Sequence, residues 1–514
     1  MCPFPSALWN PAVICFGVMG IMDVLLQSWS LVALLTALTV WLVYSFQNQR
    51  KEPPGPMPLP LIGNLLQLDV KAPYNSLMEL SKKYGEIFTV YLGTKKVVVL
   101  TGYKAVKEAL VTFDDVFGER DPPAFMNDYS QGHGVIWANG DSWKEMRRFS
   151  LSNLRDFGMG KKICEDKIIE ESHHLIEVFN QFKGEAFDTT QPMNYTISNV
   201  ISLFAFGRRF EYDEPEFVSM MEGSVRRIEH LGSPSVQRYN SLPRLFRWAV
   251  DLGPAQAAIR INKENLWAII NRLKEMFDPQ ACRSFVDAFL LQQQKLAKSG
   301  TTNRHFHSDN LLNTVSNLFA AGSETTSTTL RWGLLFMTKY PKIQDQVQEE
   351  LRRVVGIRQV QLSDRKSLHF TNAVIHEVQR LANLTPLALP HKTTQDISFH
   401  GYFIKKGTTV CPLLMSVLYD ETEWERPRSF HPAHFLDANG EFVKRDAFIP
   451  FSAGRRICLG EGLARMELFI FFCTLLQHFR FTPPPGVSED DLDLTPHPGF
   501  TLAPLPHKLC AVAL

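Results

Sequence analysis

The stretch Phe451-Ser452-Ala453-Gly454-Arg455-Arg456-Ile457-Cys458-Leu459-Gly460 decides how the chain is read. An apolar run of helical period follows it, from Leu463 to Phe479. One cysteine therefore stands just ahead of a helix N-terminus, where the positive end of the dipole favours a thiolate. Two adjacent arginines add positive potential, and Gly454 and Gly460 permit positive φ or a close approach of backbone to something flat and bulky. The other cysteines, at positions 2, 15, 164, 282, 411, 473 and 510, form no C-x-x-C pair and no zinc-ribbon spacing. They are too sparse for a secreted disulfide framework and read as reduced, small buried hydrophobes.

Working upstream, a helix is predicted from about Asp309 to Tyr340, capped by Ser308 or Asp309 and ended by Pro341. Its middle, Ala320-Ala321-Gly322-Ser323-Glu324-Thr325-Thr326-Ser327-Thr328-Thr329, is a poor helix interior. Glycine costs about 1 kcal/mol against alanine there, and the hydroxyls are neutral to unfavourable. Hydroxyls that bond backwards to carbonyls also bend helices. A weakened segment inside an apolar helix is a place for a small ligand to nestle. Glu86–Leu100 alternates and is β-branched, predicting a hairpin with its turn at Gly93-Thr94. A second strand zone spans Asp396 to Val410, with turns at Gly401 and Gly407. Nearly everything between has helical spacing. The expected fold is mainly α with a small β portion near the N-terminal end of the body.

The run 24–49 between Asp23 and Arg50 is uncharged and richest from Trp29 to Phe46. About 20 apolar residues span a bilayer core. The run ends in Trp41, Tyr44 and Phe46, followed by Arg50 and Lys51, which suits an interface and a cytoplasmic flank. This predicts an uncleaved transmembrane signal-anchor. Residues 1–23 form an N-terminal extension, and a start at Met22 would leave an ordinary short signal-anchor. Residues 50–65 form a proline-rich linker, stiff and extended. The catalytic domain is then 66–514. Lys plus Arg (54) nearly cancels Asp plus Glu (53), so no overall field favours nucleic acid.

A thiolate ligand pushes electron density onto haem iron and favours O–O cleavage. F-x-x-G-x-R-x-C-x-G is the haem-ligand signature of the cytochrome P-450 superfamily, and positions 451–460 match each fixed element. With PPGPMPLPLIGN (53–64), AGSETT (321–326) and FSAGRRICLGEGLARMELF (451–469), the chain resembles a vertebrate microsomal family 2 member. The resemblance covers nearly everything after the anchor, and TPPPGVSEDDLDLTP (482–496) is most similar to the K and W subfamilies. It implies the cytochrome P-450 fold preceded by one transmembrane helix. It further implies a haem-thiolate monooxygenase of the endoplasmic reticulum membrane, with its catalytic domain cytoplasmic. Substrates would be lipophilic: fatty acids, steroids or xenobiotics. Electrons would come from NADPH through NADPH-cytochrome P-450 reductase, since the chain has no G-x-G-x-x-G fingerprint. Cytochrome b5 is a further implied donor.

Carried onto matching positions, the resemblance makes Cys458 the axial iron ligand and Glu324 with Thr325 the acid–alcohol pair of the oxygen-activating helix. Trp143 and Arg147 match a W-x-x-x-R helix whose two residues contact a haem propionate, and their spacing puts them on one face. Arg456, His391 and Arg120 are the further propionate partners. Glu377 and Arg380 match E-x-x-R, with a structural role shared by His434, where the family at large often has Arg. Glu145/Arg148, Glu349/Arg352 and Glu350/Arg353 share that spacing as ordinary surface pairs. Trp137, Ala321, Thr325, Leu389 and Phe500 would line the substrate pocket. His376-Glu377-x-x-Arg380 falls short of a zinc-binding H-E-x-x-H, because Arg cannot ligate zinc. Two other readings of a haem-thiolate chain stand beside monooxygenation: an isomerase or dehydratase acting on hydroperoxides, and a non-enzymatic haem sensor. The Glu324–Thr325 pair favours the monooxygenase, because only that reaction needs a proton relay. A basic face of Lys144, Arg148 and Arg465 for an electron donor points the same way.

Overall fold

Val97 to Leu100 is a β-branched run with no polar alternation, the pattern of a strand covered on both faces. In the computed structural model it is an inner strand of a five-stranded sheet. The structure describes residues 52–69, 71–241, 244–300 and 304–514, with Val32, Thr36 and Thr39 ahead of them. The expected extension (1–23) and anchor (24–49) otherwise lie outside the described residues. Among the described residues no helix is long and apolar enough to cross a membrane.

The chain divides into two units, Met1–Pro54 with Ile397–Ile404, and Gly55–Asp396 with Lys405–Leu514. In the first, Ile397–Phe399 pairs antiparallel with Tyr402–Ile404. The larger unit carries the site. Its sheet is built from β1 (Ile87–Leu92), β2 (Lys95–Leu100), β3 (Glu119–Arg120), β4 (His391–Lys392) and β5 (Thr409–Pro412), in the order β1-β2-β5-β4-β3. The expected hairpin is β1–β2, with Gly93 at φ +64° in its turn. The register of β3 on β4 sets Arg120 opposite His391, which brings together two residues 271 positions apart.

Seven helices matter for the site: α1 (Gly140–Asp156), α2 (Thr190–Phe206), α3 (Pro215–Leu231), α4 (Gly253–Glu275), α5 (Ser308–Lys339), α6 (His369–Ala382) and α7 (Glu461–His478). The long central helix α5 packs against α2, α4, α6 and α7. Gly322 is explained by α2, since a Cβ there would come within 2.4 Å of Ile201 Cδ1. The capping expectation is corrected. His307 is the N-cap of α5, without a side-chain cap bond, and Ser308 already lies in the helix. Helix α7 is apolar all round because it is buried on all sides, from Met466 to Leu476.

Two further expectations change. From Gly55 the proline-rich segment does not stand clear as a spacer but lies on β1. Asn64 accepts a bond from Tyr91 N–H (2.7 Å) through Oδ1 and donates through Nδ2 to Met57 O (3.1 Å). The Glu350/Arg353 pair is not a surface pair either. Glu350 is buried and accepts from Phe370 N–H (3.0 Å), Thr371 N–H (2.7 Å) and the Thr371 hydroxyl (2.7 Å), tying down the start of α6. A second sheet, Ala186–Phe187, Leu509–Ala513 and Phe479–Thr482, was not foreseen, because α7 runs into its strand at Phe479 without any turn residue.

Glu377 and Arg380 are both fully buried and meet through two 2.7 Å bonds. Arg380 also donates to Leu418 O (2.8 Å), Pro427 O (2.6 Å) and Ser429 O (3.1 Å), while His434 Nδ1 lies 3.2 Å from Glu377 Oε2. The other two pairs of that spacing are solvated, with Arg148 and Arg352 each largely exposed.

Candidate active site

A cavity of about 380 Å³ lies among α1, α3, α5 and the Pro450–Leu468 segment, in the range of small-molecule sites. Cys458 opens into it ahead of α7. Its thiol has accessible surface, yet protein encloses it almost completely; the surface faces the cavity rather than bulk water. Burial therefore pushes the thiol up from its ordinary value, while the N–H groups of Gly460 and Glu461 and the charge of Arg147 pull the other way. This corrects the expectation that the helix end and two adjacent arginines would dominate. The cation acting on Cys458 is Arg147, which donates to Ile457 O (2.8 Å), whereas Arg455 pairs with Asp114 (3.2 Å). Gly454 sits at φ +71°, and a Cβ there would strike Leu110 O at 1.7 Å, so no other residue fits. At Gly460, which lines the cavity, a Cβ would meet no protein atom within 4 Å, so the space beside the sulfur is open there.

Three guanidinium groups, Arg120, Arg147 and Arg456, gather at this cavity. Arg456 donates to Gly118 O (2.8 Å), Ala138 O (3.0 Å) and Asn139 Oδ1 (2.8 Å), and stacks 3.6 Å over the Trp143 ring. Burial, then the charges of Arg120 and Arg147, pull it down to about 8. Burial and Arg147 likewise pull Arg120 down to about 9. Arg120 Nε and Trp143 Nε1 are buried without hydrogen-bond partners. A nest of mutually repelling cations and unpaired donors is costly unless an anion completes it. The propionates of haem fit that need, and Cys458 in the same cavity fits its iron. His391 does not line the cavity itself; it stands behind Arg120, with Nε2 2.7 Å from Arg120 Nη1 and Nδ1 2.6 Å from Phe117 O.

On the α5 side, Glu324 and Thr325 both line the cavity. Thr325 Oγ1 donates back to Ala321 O (2.8 Å), and Thr329 does the same to Thr325 O (2.7 Å). Glu324 Oε1 accepts from Thr328 Oγ1 (3.4 Å) and from Thr501 Oγ1 (3.3 Å). Trp137, Ala321, Leu389 and Phe500 all line the same cavity; Leu389 O also receives Arg120 Nη1 at 2.8 Å.

Among the lining residues that escaped sequence reasoning are the polar side chains Arg227, Asn317, Glu467 and Thr501. Thr501 follows Phe500, which was the available signal. Glu467 is wholly buried on α7, and burial pushes its carboxyl far above the usual range; among the described residues its bonded partner is Thr326 (3.3 Å). Asn317 fixes the loop over the cavity by accepting from Val135 and Ile136 N–H (3.0 and 3.1 Å). Nothing in the local sequence marks Arg227.

A cavity that brings a thiol, three crowded guanidinium groups and an acid–alcohol helix together fits a haem enzyme. The chain belongs to the cytochrome P450 family, whose model, described as Cytochrome P450, matches residues 53–511. Among curated proteins it is similar to cytochrome P450 2K1 of Oncorhynchus mykiss, at 58% identity over 502 residues, 96% of this chain and 100% of that one. It is 55% identical to cytochrome P450 2K6 of Danio rerio over 454 residues, 88% of this chain and 90% of that one. Cytochrome P450 2A13 of Homo sapiens is 43% identical over 484 residues, 92% of this chain and 97% of that one. The family 2 likeness expected from the sequence holds, including its K-subfamily side. The chain is a haem-iron monooxygenase of small molecules, served by redox partner proteins.

Proposed function

We propose that the chain oxidises lipophilic molecules, with Cys458 as the iron ligand and with electrons passed from NADPH by NADPH-cytochrome P-450 reductase, cytochrome b5 being a second donor. The observation that carries this reading is the placement of the thiol and the uncompensated Arg120–Arg147–Arg456 cluster on the same cavity as Glu324 and Thr325. Bound haem supplies reductive activation of dioxygen, one atom entering the substrate and the other leaving as water. Arg120, Arg147, Arg456 and Trp143 would hold the propionates, with His391 orienting Arg120. The Thr325 hydroxyl stands at the cavity wall to hold a proton, and Glu324 Oε1, bonded to Thr501 Oγ1, passes protons toward it. The apolar walls formed by Trp137, Ala321, Leu389 and Phe500 suit a lipophilic substrate. Residues 24–49 would anchor the chain in the endoplasmic reticulum membrane, with the body on the cytoplasmic side.

The test is reconstitution of the full chain with haem, reductase and phospholipid against a mixed panel of lipids and foreign compounds. Product that requires NADPH and contains one oxygen atom from dioxygen is expected. Turnover of hydroperoxides with no need for NADPH, and no NADPH-dependent product, would sink the proposal in favour of an isomerase.

A further inference from the structure

Arg331 follows Glu324 two turns on along α5 and on the same face, with Thr328 between them. It is only 8% exposed, and its Nε is fully buried without a partner. Among the described residues no carboxylate lies within ion-pair distance of its guanidinium. Burial pulls it below its ordinary value, and the charges of Asp188 and Glu324 act against that shift. The fold supplies this company. Thr501 Oγ1 donates to Glu324 Oε1 (3.3 Å) and Trp332 Nε1 to Leu502 O (2.8 Å), so residues 501–502 lie along this part of α5. That segment leads through His507 to the strand Leu509–Ala513, whose Leu509 pairs with Phe187, the neighbour of Asp188. Asp188 is exposed, just ahead of α2. His507 places Nδ1 2.7 Å from Leu505 O, and its Nε2 is buried without a partner. Burial lowers it; the bond to Leu505 opposes that shift, Arg331 adds to it and Asp188 opposes it, leaving His507 neutral at pH 7. A buried cation without a direct counter-ion is costly. Here two carboxyl groups share its field, Glu324 at the cavity and Asp188 at the surface.

Resting on the monooxygenase reading, we propose that Arg331 is a positioning residue for proton supply: its charge, divided between Glu324 and Asp188, governs when Glu324 hands a proton into the cavity. Arg331 does not line the cavity and acts through Glu324. A neighbouring cation favours the carboxylate, so Glu324 holds its proton less tightly with Arg331 present than without it, and Asp188 offsets part of that effect. Two turns of helix span about 10 Å. At an effective dielectric of about 20, a unit charge at that distance moves a titration by about one pH unit.

The test is product formed per NADPH consumed, measured from pH 5.5 to 9 with the haem-loaded full chain, reductase and phospholipid. The limb that belongs to Glu324 is the one lost in Glu324→Gln. Arg331→Gln should move that limb up by about one pH unit, Arg331→Lys should leave it in place, and Asp188→Asn should move it down by less. Oxidation driven by an organic hydroperoxide, which bypasses reduction and proton supply, should not follow these shifts. An unmoved limb in Arg331→Gln that keeps its carbonyl spectrum overturns the proposal, and so does a shift of the same sign in both variants. Should Arg331→Gln fail to take up haem, Asp188→Asn decides alone, since its position is exposed: an unmoved limb there overturns the proposal. Urea midpoints give a readout apart from turnover. The loss caused by Arg331→Gln should differ between the natural chain and Glu324→Gln, and strict additivity would mean that Arg331 does not act on Glu324. Absence of any NADPH-dependent product from the natural chain would sink the monooxygenase reading, while the midpoints would still decide whether the two residues are coupled.

Discussion

Cys458 differs from Cys411 and Cys473 less in burial than in what surrounds the sulfur. All three thiols are pushed up by burial, Cys411 to about 12 and Cys473 well above the ordinary thiol range, but only Cys458 has two backbone N–H groups and an arginine opposing the shift. Cys458→His is therefore expected to abolish the red-shifted carbonyl absorption of thiolate-bound haem, because imidazole donates less charge to iron. Cys411→Ser and Cys473→Ser should leave that band in place; its survival in Cys458→His would remove Cys458 as the ligand. Thr325 makes the second test at this scale. Its hydroxyl is bonded to Ala321 O and faces the cavity, so Thr325→Ala should keep haem and the helix. Product formed per NADPH consumed should fall severalfold, and unchanged coupling would mean that the hydroxyl serves only the helix. The motif around Cys458 and the AGSETT stretch were legible because local spacing encodes them. Arg227, Glu467 and the backing of Arg120 by His391 were not, since each gains its meaning from residues between about 90 and 270 positions away.

Helix α6 shows how one element separates equal-looking sequence patterns by burial. Of the four E-x-x-R pairs compared above, only Glu377–Arg380 is fully enclosed with both partners bonded to each other. Glu377→Gln is expected to cost about 3–5 kcal/mol, because it strands a buried guanidinium, whereas Glu349→Gln should stay within about 0.5 kcal/mol. Urea midpoints of the two variants check this, and similar losses in both would contradict it. His376, one residue earlier, carries a pH dependence. Its Nδ1 donates to Asn372 O (2.7 Å), and Phe435, Phe442 and Phe448 pack against its ring. Burial, opposed by that bond, pulls it down to about 3 from an ordinary 6.5. Between those values the unfolded chain binds a proton that the folded chain refuses. The contribution of His376 is thus complete above pH 6.5 and is lost as the pH falls toward 3, by about 1.4 kcal/mol per pH unit at most. His376→Gln should flatten the acid side of the stability profile by about one proton, measured from urea midpoints between pH 7 and 4.5. An unchanged slope would show that His376 is not the linked group.

At the scale of the whole molecule, the large unit presents apolar side chains where the chain emerges from the expected anchor. Met57, Leu59, Leu61, Ile62 and Leu66 are all exposed, Leu66 by 77%. The backbone at Gly93 joins this segment to a second one, since a Cβ there would meet both Ser241 O (2.0 Å) and Leu61 O (3.6 Å). The second segment leads to Trp248, which is 83% exposed beside Arg247. The stretch Leu242–Trp248 mixes apolar residues with two arginines, a composition that suits an interfacial contact in which apolar groups insert and cations meet anionic headgroups. Residues 242–243 lie outside the described residues, so the structural support rests on Trp248 and on the exposed 57–66 stretch. Surface apolar residues scattered singly need no explanation, but five exposed ones within ten residues of the large unit are expected to add a second attachment to a bilayer. Deleting residues 1–50 should therefore release the protein only partly. The truncated chain should float with anionic liposomes at low salt and less so at high salt, as screening weakens the arginine contribution. Changing Leu61, Leu66 and Trp248 together to Ser in that truncation should abolish flotation while the carbonyl spectrum is kept. A truncated chain that is fully soluble at low salt, with no liposome binding, would mean that the anchor alone holds this protein to its membrane.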